Sequence, residues 1–563
     1  MSTRKEAEST LNAMSVSAVH DVSGLEASIS AAVEGLFAHQ GETGAFGPAH
    51  TRYSPAHSAL ALIALHLAAP TDTDGLISRG ITQLCRTQRF DGGWSSHPYG
   101  SEPLATALAF DALRLIAPER AARNIAAAGT LVNRIGHSQG ATTEASAGSH
   151  ERFLFAPTVA LQREAPRLPL SWGAARKRLS LQLPAVASLN LRGSPRDPGH
   201  PLSRVLTART RASALALIRQ LHDHEGATGG FAADPMLTSH ICIGLIHSGL
   251  GADIVRASIE WLRAAGSGTG EWSQAPLHVR WTSLACSALA EAGQSSDVRL
   301  TAAAAVLRRT QQQAAFPTLG SPAGGWSASG GSGWPTALDT AEAVSALSKL
   351  ALADCSPQIR DGADWLVAQQ DSAGSWSYAV RNTVPGAYGP CAHLTAKAVC
   401  ALIDAGAAAD DRYVKKALAW LARQQEPSGH FTAMWYRGYT IPTAAVVEAY
   451  CGTVGRRHQV TRRACEWLLG TQREDGSWSA GQSVGVSTVE ETASALRALR
   501  MAGMSSYAPP IVQGVKWLMS RQRTNGTWPA EPVNEHLRFQ HRYADDLVAT
   551  SFALQALATM RGS

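Results

Sequence analysis

Long apolar runs are missing from this 563-residue chain. The best of them, Ala59 to Ala69, falls short of the roughly 20 residues needed to cross a bilayer. A transmembrane protein is therefore not expected, although a peripheral membrane contact is compatible with the sequence. Residues 1–20 carry charges, Ser and Thr but no apolar stretch of the signal-peptide kind, so no leader is expected. Cysteine is scarce: eight residues, none in CxxC spacing and none joined by His in a zinc pattern. Free, mostly buried thiols in a reducing, cytoplasmic compartment follow as the expectation. The net charge of +6 is spread along the chain without a dense Lys/Arg block, which argues against a nucleic-acid partner. Runs of β-branched residues with period-2 alternation are also absent, so strands are not expected.

What is present is a helical repeat. Hydrophobic residues make up 45% of the chain and charged residues 17%, enough apolar material for large cores and too much for wholesale disorder. The pattern Q-x3-G-x-W runs from Gln88 to Trp94 and recurs at Gln370–Trp376, Gln472–Trp478 and Gln522–Trp528. Copies with Phe for Trp span Gln40–Phe46 and Gln425–Phe431. A spacing of about 50 residues also suits a propeller blade, so the flanking segments must decide. Before each Gln lies an amphipathic helical pattern, as in 359–370, 414–425 and 462–472. After each aromatic comes a loop rich in Gly, Ser and Pro, then a second helix that is nearly all apolar and Ala-rich: 336–351, 394–406, 442–450, 490–502 and 546–560.

An amphipathic helix alternating with an all-apolar one predicts two concentric layers, the apolar helices forming an inner ring. In the C-terminal half, inner helices are expected near Trp281, Asp339, Thr395, Pro442, Glu491 and Asp546. Six hairpins close an α/α barrel. Inner candidates after Ser54, Glu102, Phe155 and Met236 predict a second, smaller or incomplete barrel. The expected fold is all-α: residues 1–30 as an N-terminal segment that can pack on the C-terminal barrel, 31–255 as the smaller barrel and 256–563 as the larger. The Gln and aromatic of each repeat are read as structural. The Gln bonds free backbone groups at the end of the outer helix, and the ring covers that turn while its N–H finds a partner.

Q-x3-G-x-W repeats on α/α barrels resemble those of squalene–hopene cyclases and class II terpene cyclases. Trp435-Tyr-Arg-Gly-Tyr439 with Thr443-Ala-Ala-Val-Val resembles a segment of both groups. Glu490-Glu-Thr-Ala493, His150-Glu-Arg-Phe-Leu-Phe-Ala-Pro157 and Phe231 to His240 resemble bacterial class II diterpene cyclases. The resemblance implies an isoprenoid folded in an apolar cavity between two barrels. It also implies an Asp-x-Asp-Asp motif, at the start of one inner helix, whose central Asp protonates an alkene or epoxide. That acid must be neutral, strengthened by neighbouring donors and kept dry.

The matching segment here, Trp334-Pro-Thr-Ala-Leu-Asp-Thr-Ala341, departs from the motif. Thr336 stands at its first Asp and Leu338 at the acid, so only Asp339 survives. Lys397 in His393-Leu-Thr-Ala-Lys397 stands where the family has a His. Initiation must therefore be unusual. The first expectation is a shifted acid: Asp339, or Asp545 and Asp546 in Tyr543-Ala-Asp-Asp546. The second is ionisation of an allylic diphosphate held by Lys397 and Arg437, with Mg²⁺ bound to that diphosphate. Glu490 and His393 complete the catalytic candidates. Trp281, Trp334, Trp435, Tyr436 and Tyr439 are cavity-lining candidates that stabilise cations through their faces, and Glu151 matches a family residue.

Each assignment competes with a plainer one. Asp339 can be a helix N-cap, and Asp545, Asp546, Glu490 and Glu491 can serve the helix dipole. His393 can be a satisfied interior imidazole, Glu151 a salt bridge, and the aromatics core. A buried Lys397 requires a carboxylate or phosphate partner. Two other functions remain open: a non-catalytic isoprenoid-binding paralogue, and a prenyltransferase β-subunit, for which no zinc spacing is found.

Overall fold

The computed structural model describes residues 24–47, 53–69, 71–72, 74–97, 100–138, 201–226, 228–266, 268–331, 333–383, 389–436, 438–479, 486–537 and 541–561. The larger barrel has an inner ring of six helices: α9 (His278–Leu289), α11 (Ala337–Leu350), α13 (Ala392–Asp404), α15 (Thr440–Cys451), α17 (Val489–Met501) and α19 (Asp546–Ala558). Each packs on the next, and α19 closes back on α9. Ala, Val and Leu on these helices are buried all round, which is why they form the inner layer.

The outer helices are α1 (Leu25–Phe37), α10 (Val298–Thr310), α12 (Ser356–Gln369), α14 (Arg412–Arg423), α16 (Gln459–Gly470) and α18 (Pro509–Ser520). α1 packs on α19, and Ile29, Val33, Leu36, Phe37 and Phe46 enter the larger core. This corrects the expected boundary at residue 30. The whole of α1 and its turn through Phe46 supply the sixth outer hairpin, because the last inner helix would otherwise lack an outer partner.

The repeat turns join neighbouring hairpins. Gln522 Nε2 donates to Gly526 O at 3.0 Å within its own turn and to Ser28 O at 2.9 Å on α1. Gln370, Gln425 and Gln472 do the same to Tyr413, Val460 and Pro510 at the start of the next outer helix. The Gln therefore links adjacent outer helices rather than capping its own. The terminal carbonyl is satisfied instead by the indole: Trp376, Trp478 and Trp528 Nε1 each donate to a Leu carbonyl ten residues back at 2.7 Å. An inner-helix hydroxyl completes the turn, as where Thr395, Thr443, Thr492 and Thr550 accept from the aromatic's own backbone N–H. Gly526 must be glycine: its φ is +81°, and a Cβ would sit 1.9 Å from Ala31 O. Gln311 makes the same bonds, to Gly324 and Gln358, but its aromatic is Trp326. The longer loop hid this repeat from a fixed-spacing search.

In the smaller barrel, α2 (Pro55–Ala68) packs between α4 (Pro103–Ile116) and α7 (Pro235–Ser248) as inner helices. α3 (Leu76–Thr87), α5 (Ala122–Ser138) and α8 (Ala252–Ala265) lie outside them, and α6 (Pro201–His224) precedes α7. α8 and Trp272 belong to this core, with Trp272 Nε1 donating to Leu262 O at 2.9 Å. The expected boundary at 255 thus cuts through a helix, and the smaller barrel extends past Trp272. The inner helix expected after Phe155 lies outside the described residues. One element contradicts the strand-free expectation: β1 (Asn534–Leu537) pairs antiparallel with β2 (His541–Tyr543), Asn534 opposite Tyr543. This hairpin leads directly into α19.

Candidate functional site

All six inner helices of the larger barrel start at one rim, and their first turns bring together the groups that sequence reasoning placed there. Asp339 is buried in the first turn of α11, 1% exposed. It is not the N-cap. Thr336 holds that place, its Oγ1 accepting from Asp339 N at 3.1 Å and donating to Asp339 Oδ2 at 2.6 Å. Asp339 Oδ1 makes no hydrogen bond. Burial pushes this carboxyl up to about 7, while the Thr336 hydroxyl and the Arg280 charge pull the other way.

Arg280, on the first turn of α9, is the group that sequence reading missed. It lies buried among Glu342, Tyr436, Tyr543 and Asp339. Its Nη2 donates to Tyr436 Oη at 3.0 Å, and its Nε lies 3.9 Å from Glu342 Oε2, an ion-pair contact longer than a hydrogen bond. Burial alone favours the neutral guanidine; the facing Glu342 and tyrosines outweigh it and hold Arg280 charged. The signal was available, because a lone Arg among apolar inner-helix residues demands partners just as Lys397 does. Lys397 finds one in the field of Glu342, whose carboxyl burial raises and whose two cationic neighbours lower.

Asp545 and Asp546 separate in role. Asp545 is a buried N-cap: Oδ1 accepts from Leu547 N at 3.1 Å and Val548 N at 3.4 Å, and Oδ2 accepts from Trp281 Nε1. Its carboxyl is raised by burial, against the pull of that indole and those amides. All its hydrogen-bonding capacity toward α19 and Trp281 is structural. Asp546 points away from the rim to a surface ion pair with Arg523 at 2.8 Å and accepts from Ala530 N at 2.9 Å. Asp546 is thereby corrected from relocated acid to surface anchor.

Glu491 repeats the Asp339 arrangement, with Thr488 Oγ1 donating to its Oε2 at 2.9 Å and accepting from its N at 3.2 Å. Its carboxyl rises to about 8, chiefly through burial. Glu490 therefore occupies on α17 the register that Leu338 occupies on α11. It is fully buried, no side-chain donor meets its carboxyl among the described residues, and burial drives its pKa well above normal. His393, 1% exposed on the first turn of α13, likewise has both ring nitrogens without a hydrogen bond. Its ring meets Tyr436 edge-on at 4.9 Å.

The aromatic candidates divide. Tyr436 and Trp281 are buried at the rim, and Trp435 packs against Tyr378 with ring centres 4.7 Å apart. Trp334 instead reaches the smaller barrel, its Nε1 donating at 2.8 Å to Glu225 Oε1, a buried carboxyl pushed up to about 8 by burial. Tyr439 is corrected from cavity lining to surface: it is 41% exposed and its ring lies tilted against His430 with centres 4.3 Å apart. Arg437 and Glu151 lie outside the described residues.

Two neighbouring cavities inside the larger barrel adjoin the rim groups. One, of about 140 Å³, is lined by Glu342, Lys349, Lys397, Asp404, Glu448 and Arg497 among others. The second, of about 20 Å³, touches His393, Ile441, Ala444 and Phe552 and shares Lys397, Glu448 and Arg497 with the first. Both are smaller than the roughly 300–1,000 Å³ of a typical ligand pocket. Neither is the apolar chamber expected between the two barrels; ion pairs adjoin them, Arg497 with Glu448 at 3.1 Å and Lys349 with Glu291 at 2.7 Å. Among the described residues no three His, Cys, Asp or Glu side chains converge to hold a metal ion, and none of the helices is long and apolar enough to cross a membrane.

Paired helical rings, tied by Gln–aromatic turns and with a buried carboxyl at the inner rim, define an α/α-barrel protein. The family model of the squalene-hopene cyclase C-terminal domain matches residues 282–561. The squalene–hopene cyclase of Bradyrhizobium diazoefficiens is 27% identical over 225 residues, 35% of this chain and 34% of that one. A probable squalene–hopene cyclase of Sinorhizobium fredii is 27% identical over 372 residues, 58% of this chain and 56% of that one. The chain thus spans between a third and a little over half of these relatives. Among solved structures, ent-copalyl diphosphate synthase from Streptomyces platensis shares the fold over 96% of this chain and 100% of its own, with a TM-score of 0.56 at 19% identity. The family-model match over the larger barrel, the squalene–hopene cyclase relatives and the shared fold support a class II terpene cyclase-like family for this chain.

Proposed function

We propose that this protein cyclises a linear or partly cyclised isoprenoid by protonating it at the rim of the larger barrel, with Asp339 as the acid. The observation that carries this reading is the Asp339 carboxyl itself: buried in the first turn of α11, bonded through Oδ2 to the Thr336 hydroxyl, and held protonated to about pH 7. Burial keeps the proton on the acid before substrate arrives. Once the proton leaves, the Thr336 hydroxyl at 2.6 Å and the Arg280 charge stabilise the carboxylate left behind, and so strengthen the acid. Leu338, fully buried in the core, takes no part. The faces of Tyr436, Trp435 and Tyr378 supply π density for the developing cation.

The test is incubation with geranylgeranyl, farnesyl and geranyl diphosphates and with squalene, each with and without EDTA. Cyclic product formed by the wild type and lost in Asp339→Asn supports the reading. A folded protein that neither binds nor turns over any of them refutes it. Turnover abolished by EDTA and indifferent to Asp339 would assign initiation to diphosphate ionisation instead.

A further inference from the structure

Acid initiation accounts for Asp339, Thr336 and Arg280. It leaves His393 unexplained. A buried imidazole whose two nitrogens both lack a hydrogen bond is uncommon, since buried polar groups are nearly always paired. His393 is 1% exposed and sits on the first turn of α13, level with the rim. The groups around it come from every neighbouring element. Tyr436 meets its ring edge-on at 4.9 Å and accepts from Arg280 of α9. Lys397 is one turn along α13, and Glu448 of α15, Arg497 of α17 and Gln555 of α19 share its cavity. The charges of Lys397 and Arg280, added to burial, keep the ring neutral. A neutral imidazole does not repel a carbocation, and it still has a free electron pair for a proton. The adjoining cavity of about 20 Å³ has room for one water, since about 10–15 Å³ suffices.

We infer that His393 is the base that ends the cyclisation, taking the last proton directly or through a single water. This rests on the acid-initiated reading above. The acid and this base face the same guanidinium, Arg280, at one end of the barrel. A cation made by Asp339 must therefore end near where it began. It can do so after a single ring closure, or after hydride and methyl shifts that carry the charge back. The product double bond then forms in the ring that was protonated first.

The proton count closes without a co-reactant. Asp339 Oδ1–H breaks and a C–H bond forms from an alkene pair. At the end a C–H bond breaks, its electrons become the new C=C bond, and the proton lands on a ring nitrogen of His393. Between Lys397 and Arg280 the imidazolium is disfavoured, so it gives the proton up again to the Asp339 carboxylate, and the enzyme is restored.

The wild type is tested first, by turnover in D₂O with the product solved by NMR. Deuterium from the acid and the new double bond are expected in the same ring. A double bond in a ring remote from the deuterium overturns the inference while leaving acid initiation intact. If the wild type converts no isoprenoid at all, both readings fall together. His393→Gln and His393→Phe are then compared, with circular dichroism to confirm folding. The rate of forming the wild-type alkene should fall about 10²-fold or more, the low end of what losing a general base removes, with isomeric alkenes or water-captured alcohols in its place. A merely structural histidine would lower total turnover and leave the product ratio unchanged, and that result also overturns the inference.

Discussion

Asp339→Asn separates the chemistry of this site from its architecture. Asparagine keeps the shape, and its amide can still meet the Thr336 hydroxyl, but it has no proton to give. Turnover should fall by about 10²-fold or more, the scale of a general acid. Stability should move in the opposite sense at high pH. In the unfolded chain an Asp ionises near 3.8, whereas in the fold Asp339 holds its proton up to about 7. The folded state therefore binds more protons between these values, and the wild type loses stability as pH rises through them. From about pH 5 to about pH 8 the carboxyl should contribute a loss of about 3 kcal/mol, roughly two pH steps at about 1.4 kcal/mol each. The Asp339→Asn variant has no such dependence. Urea melts of both proteins at the two pH values give this difference directly. An unchanged rate, or a wild-type-minus-variant stability that is flat with pH, would refute the assignment of a buried, protonated Asp339.

The ring closure is open to similar tests. Gln522→Ala removes three hydrogen bonds: two that tie the end of α18 to α1, to Ser28 O and from Ser28 Oγ at 2.6 Å, and one within the turn, to Gly526 O. A loss of about 2–4 kcal/mol is expected, with α1 the first segment to gain hydrogen exchange. Gly526→Ala should be far worse than Gly406→Ala: both have positive φ, but only at 526 does the new Cβ meet backbone, while Gly406 has open space. The second change should cost about 1 kcal/mol in a thermal melt. Asp546→Asn weakens one partly exposed ion pair; it should cost under about 1 kcal/mol and leave product formation unchanged, as a direct assay would show.

The inner and outer helices were legible because each carries its own period. An all-apolar helix must be buried on every side, and an amphipathic one on a single side, so the layering follows from local pattern alone. Domain edges were not legible in the same way. Whether α1 joins the larger barrel depends on the Gln522 bond to Ser28, formed across almost the whole length of the chain. The same limit explains Asp545 and Asp546. Two adjacent acids at a helix start look equivalent in sequence, yet the helix turns one inward to Trp281 and the other outward to Arg523. Arg280 shows it too: its neighbours on α9 mark it as anomalous, but the residues that hold it charged come from α11 and from the segments before α15 and α19.

By itself, then, the amino-acid order determined the helical layers and the repeat turns, because periodicity and turn chemistry are local. Only the folded chain decided which carboxyl lies dry beside a cation, which histidine is left without a hydrogen bond, and which surfaces close the ring. Burial and electrostatic neighbourhood are properties of residues far apart in sequence, and they exist only once the barrel has closed.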